Sequence, residues 1–355
     1  MTVTRDTSDA PRFGHRQCVL RFGELSARAS WRAILVVTAL LVGAVVIGVV
    51  AIGYGKYTVA PLDVLRVLLG TNTSFDRVVV LQWRMPRMVM ALLIGAALGV
   101  SGAIFQALTR NPLGSPDIIG INSGAYTGAL IVLAGLGGGY YAVAAGALAG
   151  GLATAVLVYA LSYRNGVAGY RLIVVGIGVS AMVNSVNQWI VIKLDYHTAV
   201  TAAIWQQGTL NGLSWAQAIP MAVCLAVVSA ILLAVGPQLP ILQMGDDAAG
   251  ALGVRPDRAR LWYLVLGVAL VALACAAAGP ISFVALAAPQ IARRLTASPG
   301  VGLVPSAAMG AVLLLGSDIL AQQLFTGSEL PVGAVTVSLG GAYLIYLLVS
   351  QARQR

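Results

Sequence analysis

Long apolar runs recur along almost the whole chain, and they constrain its fold more than any other feature. The first covers 31–54. The later runs lie at 88–108, 118–136, 141–163, 172–192, 215–235, 261–279, 281–294, 303–324 and 331–350. A helix needs roughly 20 apolar residues to cross a bilayer, so the pattern predicts an all-α polytopic membrane protein of about ten transmembrane helices. The run 281–294 is short and predicts a half-span or a broken helix.

The balance of charged and apolar residues excludes a water-soluble fold. Of 355 residues, 59% are hydrophobic and 10% are charged, whereas soluble domains carry about 25% charged residues. The runs leave no room for a separate soluble domain. We therefore predict a basic N-terminal tail at 1–30, one transmembrane domain at 31–350 and a short tail at 351–355. Low hydrophobicity predicts a flexible N-terminal tail, and the first run is too long for a cleaved signal peptide.

The placement of basic residues predicts the orientation. With an even number of spans and both termini in the cytoplasm, most of the 22 Lys and Arg residues fall on the cytoplasmic side, as the positive-inside rule requires. The predicted location is therefore the cytoplasmic (inner) membrane, with several passes through the bilayer. One outer segment, 55–87, breaks the rule, with basic residues at Lys56, Arg66, Arg77, Arg84 and Arg87.

The motifs of common enzymes are missing from the sequence. It has no G-x-x-x-x-G-K-[ST] phosphate loop, no H-E-x-x-H and no G-x-S-x-G. The two histidines and three cysteines are scattered, which predicts neither a metal site nor a disulfide. Basic residues sit in short loops without interleaved aromatics, unlike those of nucleic-acid binders. We expect a non-catalytic protein without a cofactor, which does not bind nucleic acid.

Polar residues inside the runs are few and mostly uncharged. Ser180, Asn184, Asn187 and Gln188 follow the spacing i, i+4, i+7, i+8, which puts them on one helix face. Such a face either lines an aqueous path or joins helices by hydrogen bonds, and both interpretations stay open. Asp318 is the carboxylate within an apolar run. It is either a hydrogen-bonded residue at a helix end or a residue of the transport path.

A polar segment at 236–260 is long enough to fold on the membrane surface. Leu242–Leu252 predicts a short helix with Gly253 as its stop, and Asp246 and Asp247 lie in its first turn, where the helix dipole favours acids. The segment is either a solvated loop or a surface that a motor subunit grips.

Four stretches, in order along the chain, resemble the iron-chelate uptake permeases, which are the membrane subunits of ATP-binding-cassette (ABC) importers for siderophores, haem and vitamin B12. The resemblance covers nearly all of 31–350 and implies the ten-helix fold of a type II importer permease. The stretches are RMPRMVMALLIGAALGVSGAIFQALTRNPLGSPDIIGINSGAYTG at 84–128, LQMGDDAAGALGV at 242–254, GPISFVALAAPQIARRL at 279–295 and LPVGAVTVSLGGAYLI at 330–345.

The resemblance also implies roles for particular residues. Arg84 and Arg87 would dock an extracytoplasmic substrate-binding protein. The turn Arg110, Asn111 and Pro112 would support the gate region from the cytoplasmic side. The segment 242–254 would couple to the ATP-binding subunit through Met244, Gly245, Asp246, Asp247, Leu252 and Gly253. The sequence departs from relatives at Gln322, where some have an arginine that also docks, and at Gln290, where many have histidine.

The resemblance finally implies partners and cargo. The assembly would hold two ATP-binding subunits, a paralogous permease subunit in a heterodimer and one binding protein, all around a path for a ferric siderophore. Alternative cargoes are a hydroxamate siderophore, haem or cobalamin. An ATP-independent carrier or channel fits less well, because such proteins usually carry ionisable residues in mid-span.

Overall fold

Helices make up almost all of the part of the chain that the structure describes. The computed structural model describes residues 17–22, 25–53, 55, 57–71, 75–135, 138–163, 169–236, 238–324 and 330–352. The helices, in chain order, are α1 Trp31–Gly53, α2 Pro61–Leu68, α3 Phe75–Val78, a π-helical turn Val79–Arg84, α4 Met85–Thr109, α5 Ile121–Gly135, α6 Tyr140–Ser162, α7 Gly169–Lys193, α8 Tyr196–Gln206, α9 Trp215–Val235, α10 Gln238–Gln243, α11 Asp246–Ala251, α12 Pro256–Ala278, α13 Val284–Thr296, α14 Leu303–Gln323 and α15 Val332–Ala352.

Each predicted apolar run coincides with one of these helices. Within the described residues, seven helical segments are long and apolar enough to cross a membrane: α1, the continuous segment Phe75–Thr109, α6, α7, α9, α12 and α14. Ile121–Gly135 and Val332–Tyr346 are shorter apolar helices. The short run 281–294 becomes α13, which has 13 residues and spans only about 20 Å at 1.5 Å per residue. The helical membrane fold and the short helix at 281–294 are confirmed.

Two antiparallel strands precede α1. Strand β1 covers Gln17–Phe22 and strand β2 covers Leu25–Ser30, with Gln17 opposite Ser30. Low hydrophobicity favoured a flexible tail over 1–30, whereas these two stretches pair as a hairpin; the tail as a separate segment stays a prediction. Composition indicated the tail, whereas strand pairing depends on register, which composition does not contain. The rest of the tail lies outside the described residues.

Glycines let two pairs of helices approach to backbone contact. A Cβ on Gly99 of α4 would lie 2.1 Å from the carbonyl oxygen of Ser306 in α14. A Cβ on Gly128 of α5 would lie 1.9 Å from the carbonyl oxygen of Gly146 in α6. Small residues commonly hold helices together in lipid this way. α4 belongs to the interior of the bundle, since 67% of an 18-residue apolar stretch within Phe75–Thr109 is buried. The corresponding share in α1 is 11%, so α1 lies at the periphery.

Candidate functional site

Charged side chains with defined partners gather at the two ends of α4. Its first turns hold Arg87, which contacts Asp318, and its C-cap residue Arg110 contacts Asp246. Arg87 and Arg110 are 23 residues apart along α4, so about 35 Å of helix separates these places. We call them the Asp318 end and the Asp246 end.

The coupling segment forms two short helices, α10 and α11, and not the single helix predicted over Leu242–Leu252. That prediction is wrong because the chain turns at Gly245, whose φ of +118° lies outside the helical region and suits only glycine well. Gly253 follows α11 with a φ of +80°, as expected of a helix stop. Leu242 and Ala249 are buried and anchor the segment.

Four predicted coupling residues face outward at the Asp246 end. The Met244 side chain is 70% exposed and Leu252 is 61% exposed, and Asp246 and Asp247 are exposed in the first turn of α11. Large exposed apolar residues beside acidic ones are typical of a surface that a partner covers.

Asp246 also binds two arginines from helices distant in sequence. Arg110 Nη2 lies 2.9 Å from Asp246 Oδ1 and donates a second bond, 3.2 Å long, to the Leu242 carbonyl. Arg260 of α12 contacts the same carboxylate. Exposed ion pairs add little stability, so the value of this contact is geometric: it ties α11 to the end of α4 and the start of α12.

The Arg110 turn continues into a structured loop. Asn111 Oδ1 accepts from the Leu113 N–H at 2.9 Å, and the Gly114 N–H reaches the Asn111 carbonyl at 2.9 Å. This side-chain turn is a usual role of asparagine. Pro112 is exposed within it. The structure therefore brings the predicted turn and the coupling segment together at the Asp246 end.

Both predicted docking arginines have partners inside the chain. Arg84 is half-buried and donates to the backbone carbonyls of Ile52 and Tyr57. Arg87 forms a fork with Asp318, with Nε–Oδ1, Nε–Oδ2 and Nη2–Oδ1 distances of 3.2, 3.0 and 2.8 Å. The sequence gives no sign of these partners, and docking by these arginines stays a prediction. Of the two interpretations of Asp318, the structure favours the hydrogen-bonded residue near a helix end.

Gln322 completes this cluster. Its Nε2 donates to Asp318 Oδ2 at 2.8 Å from one turn further along α14. The position at which some relatives have arginine thus supports the Arg87–Asp318 pair here.

A π-helical turn, Val79–Arg84, precedes α4, and Pro86 lies just after it. The Met85 N–H binds the carbonyl of Val80, so the next acceptor, the Leu81 carbonyl, faces the nitrogen of Pro86, which has no hydrogen. The indole N–H of Trp215 donates to that carbonyl instead, at 2.7 Å. Single π-helical turns occur often at functional sites.

Exposed aromatic side chains surround this turn. Tyr57, Phe75 and Trp83 form two edge-to-face contacts with ring centroids 5.9 Å apart in each. The Tyr57 hydroxyl donates to Asp76 Oδ1 at 2.9 Å, and this hydrogen bond raises the pKa of the phenol above its ordinary value. Aromatic residues of this kind are enriched at membrane–water interfaces.

Most of the predicted polar face of α7 lines a groove of about 470 Å³. Asn184, Asn187 and Gln188 belong to its lining, together with Gln206 of α8 and Tyr126 of α5. The predicted face lies on α7 alone and includes no residue of α5 or α8. The periodicity of one helix cannot place residues that are distant in sequence. The Tyr126 ring stacks on Trp205, with the two planes 13° apart.

The residues of the α7 face differ in their surroundings, and their place along an aqueous path stays a prediction. Asn187 is buried and joins helices: its Nδ2 donates to the Ser123 carbonyl at 3.0 Å, and its Oδ1 accepts from Thr127 at 2.7 Å. Asn184 and Gln188 are exposed to the groove. Ser180 lies outside the groove lining, where its hydroxyl packs against Gly120.

A second polar contact between helices has no signal in the sequence. Gln290 of α13 donates to the side-chain oxygen of Gln106 in α4, whose amide in turn donates to the Leu286 carbonyl at 3.0 Å. The departure at Gln290 therefore falls on a buried bond between helices. No group of three or more His, Cys, Asp or Glu residues suitable for a metal ion occurs in the described ranges.

Apolar helices packed through glycine, an uncharged polar groove and charged clusters at the two ends of α4 are the features of a multi-pass membrane transport permease. The chain belongs to the FecCD transport family, whose model matches residues 39–350.

Known relatives agree with this assignment. The chain is 48% identical over 327 residues to the ferric enterobactin transport system permease protein FepG of Escherichia coli (strain K12), covering 91% of this chain and 98% of that protein. It is 36% identical to the iron(3+)-hydroxamate import system permease protein FhuG of Bacillus subtilis (strain 168), covering 89% and 96%. A solved metal-chelate type ABC transporter in an inward-facing conformation matches with a TM-score of 0.79 and 27% identity, covering 90% of this chain and 99% of that one.

Proposed function

We propose that this chain is the permease subunit of an ABC importer that moves a ferric siderophore of the enterobactin type across the inner membrane. The similarity to FepG over nearly the full length carries the proposal. The resemblance at 242–254 and the exposed, anchored form of that segment support it. Two ATP-binding subunits would supply the energy, since the sequence has no phosphate loop of its own.

The Asp246 end is the proposed contact with the ATPase and would face the cytoplasm, together with both termini. Met244, Asp247 and Leu252 would enter the partner's surface, and Gly245 and Gly253 would set the direction of α11. Asp246 would pass the movement of α11 to α4 through Arg110, because the two side chains share a direct ion pair.

The Asp318 end would receive the extracytoplasmic binding protein. Arg84 and Arg87 are suited to carboxylates because the guanidinium fork fits them in a bidentate way. Arg87 already holds Asp318 in this manner, so an acidic residue of the binding protein would have to compete with Asp318. This exchange would couple docking to the contact between α4 and α14.

The uncharged groove beside α7 is the proposed part of the translocation path. Its carboxamides can donate to the oxygens of an anionic chelate, yet they carry no charge that would hold the cargo in place. A paralogous permease subunit would complete the path as a heterodimer. The cargo enters already chelated, so the path needs no metal ligands of its own.

Uptake in cells that lack this gene tests the proposal. The deletion strain is complemented with wild type, Asp246→Arg or Gly245→Ala, and uptake of ferric enterobactin, a ferric hydroxamate and cobalamin is measured at matched membrane levels. We expect the deletion to abolish ferric enterobactin uptake. Wild type should restore it and neither variant should. Alanine at Gly245 opposes the φ of +118°.

The matched control is Gly250→Ala in α11, where an added Cβ meets nothing within 4 Å, and it should transport normally. Loss of one of the other two uptakes instead would assign a different cargo. Intact uptake of all three after deletion would refute the importer assignment, and normal transport by Asp246→Arg would refute the coupling role.

A further inference from the structure

Two helices, α5 and α13, begin within the bundle. α5 follows the loop 111–120 and has 15 residues, and α13 follows the loop 279–283 and has 13. At 1.5 Å per residue both span at most about 22 Å, less than the hydrocarbon core of about 30 Å. Residues 114–116, 119 and 120 of the first loop and 279–281 of the second are buried. Backbone groups at such breaks need partners inside the protein.

Asp117 joins the two breaks. Its Oδ2 accepts from the backbone N–H of Phe283 at 3.3 Å, and its Oδ1 accepts from Asn122 Nδ2 at 2.7 Å. The Asn122 side-chain oxygen in turn accepts from the thiol of Cys275 in α12, at 3.0 Å. One carboxylate from the loop before α5 thus caps the start of α13, 166 residues further along the chain.

Phe283 is a strained residue at this junction. It precedes α13 with a φ of +70°, one of three positive values among the described non-glycine residues. A bulky residue adopts this conformation only when its surroundings hold it there. Its ring lies against Gly340 of α15, where an added Cβ would fall 2.4 Å from ring atoms. The N–H bond to Asp117 and the contact with Gly340 are the restraints.

The other end of the same loop is Arg110, also at a positive φ, of +50°. Arg110 holds Asp246 of α11. The loop 111–120 therefore runs from the Asp246 end to the start of α13, with a side-chain contact at each end.

We propose that Asp117 is a positioning residue of the transport cycle: it holds the strained start of α13 to the loop 111–120, so that displacement of Arg110 reaches α13. This step rests on the proposed function only in assigning the displacement to an ATPase at α11. Phe283 would have two backbone states: the left-handed conformation while the Asp117 bond is present, and a relaxed conformation once that bond is lost.

Hydrogen exchange of the purified permease in nanodiscs tests the positioning without cargo or partners. Asp117→Ala removes the acceptor and should raise exchange of the amides of 283–287 about tenfold, the effect of one hydrogen bond to a charged group. Asp117→Asn keeps an acceptor oxygen and should stay close to wild type. Asp63→Ala, which removes an exposed carboxylate from α2, is the matched control.

The coupling role needs a second measurement, on proteoliposomes that hold the complex of this chain with the paralogous permease subunit, the ATPase and the binding protein. Asp117→Ala should lower the amount of ferric enterobactin transported per ATP hydrolysed, and Asp117→Asn should restore most of that ratio. Unchanged exchange in Asp117→Ala, or Asp117→Asn behaving like Asp117→Ala, would overturn the proposal. Faster exchange with an unchanged transport ratio would overturn the coupling. Absence of transport by wild type would instead refute the proposed cargo. The hydrogen-exchange result would still test whether Asp117 holds the start of α13.

Discussion

Replacing Asp318 by alanine should destabilise the protein by about 3 kcal/mol, because it leaves the guanidinium of Arg87 buried without its partner. The Asp318 side chain is 3% exposed and that of Arg87 is 18% exposed. The change removes three contacts from Arg87, with the shortest at 2.8 Å, and one from Gln322. Partial solvation of Arg87 puts the cost at the lower end of the usual range of about 3–5 kcal/mol for breaking a buried pair.

A double variant that replaces both charges tests whether the cost comes from the unpaired charge. The free energy of unfolding is measured in mixed micelles by titration with a denaturing detergent, followed by circular dichroism. Arg87→Met together with Asp318→Leu should recover most of the loss, because an apolar pair of similar volume needs no desolvation of charge. The matched control is Asp63→Ala, which breaks the exposed pair with Arg66 and should cost less than about 1 kcal/mol.

Two outcomes would refute this reasoning. If Asp318→Ala lowers the free energy of unfolding no more than Asp63→Ala does, the Arg87 side chain is solvated and its bonds with Asp318 do not stabilise the protein. If the apolar double variant is less stable than Asp318→Ala alone, the charge itself and not its unpaired state matters at this place. The first result would favour an Arg87 that is available to a binding protein at no cost.

Two further substitutions test the packing. Gly99→Ala should lower the free energy of unfolding by about 1–3 kcal/mol, since its Cβ would fall 2.1 Å from the Ser306 carbonyl oxygen. Gly43→Ala meets nothing within 4 Å and should be neutral or slightly stabilising, because alanine favours helix; equal effects of the two would contradict the close approach of α4 and α14. Trp215→Phe should cost about 1–3 kcal/mol in the same assay by leaving the Leu81 carbonyl without its donor, and an unchanged stability would show that another group satisfies that carbonyl.

Local features could be predicted where the cause is local. The apolar runs specified the membrane helices to within a few residues, because a backbone in lipid must satisfy its own hydrogen bonds and the helix does so within one segment. The short α13 was visible from its length alone. The coupling segment shows the limit of this reasoning: its acidic first turn was predicted correctly, but the break at Gly245 was not, since glycine permits a positive φ without requiring it.

The polar residues that matter were mostly visible in the sequence, but their partners were not. Arg87 was assigned to an external protein, and the structure gives it Asp318, 231 residues away. Asp117 drew no attention, because a carboxylate before an apolar run gives no sign of the residue it will meet.

Hydrophobicity and chain length, which are local properties, therefore determined that this protein crosses a membrane many times, and its motifs determined the family. The packing of α4 against α14 and the meeting of two helix starts decided which charges are neutralised within the chain and which remain for a partner. Contacts across such separations depend on the approach of helices that glycines allow, and no local pattern in the sequence encodes them.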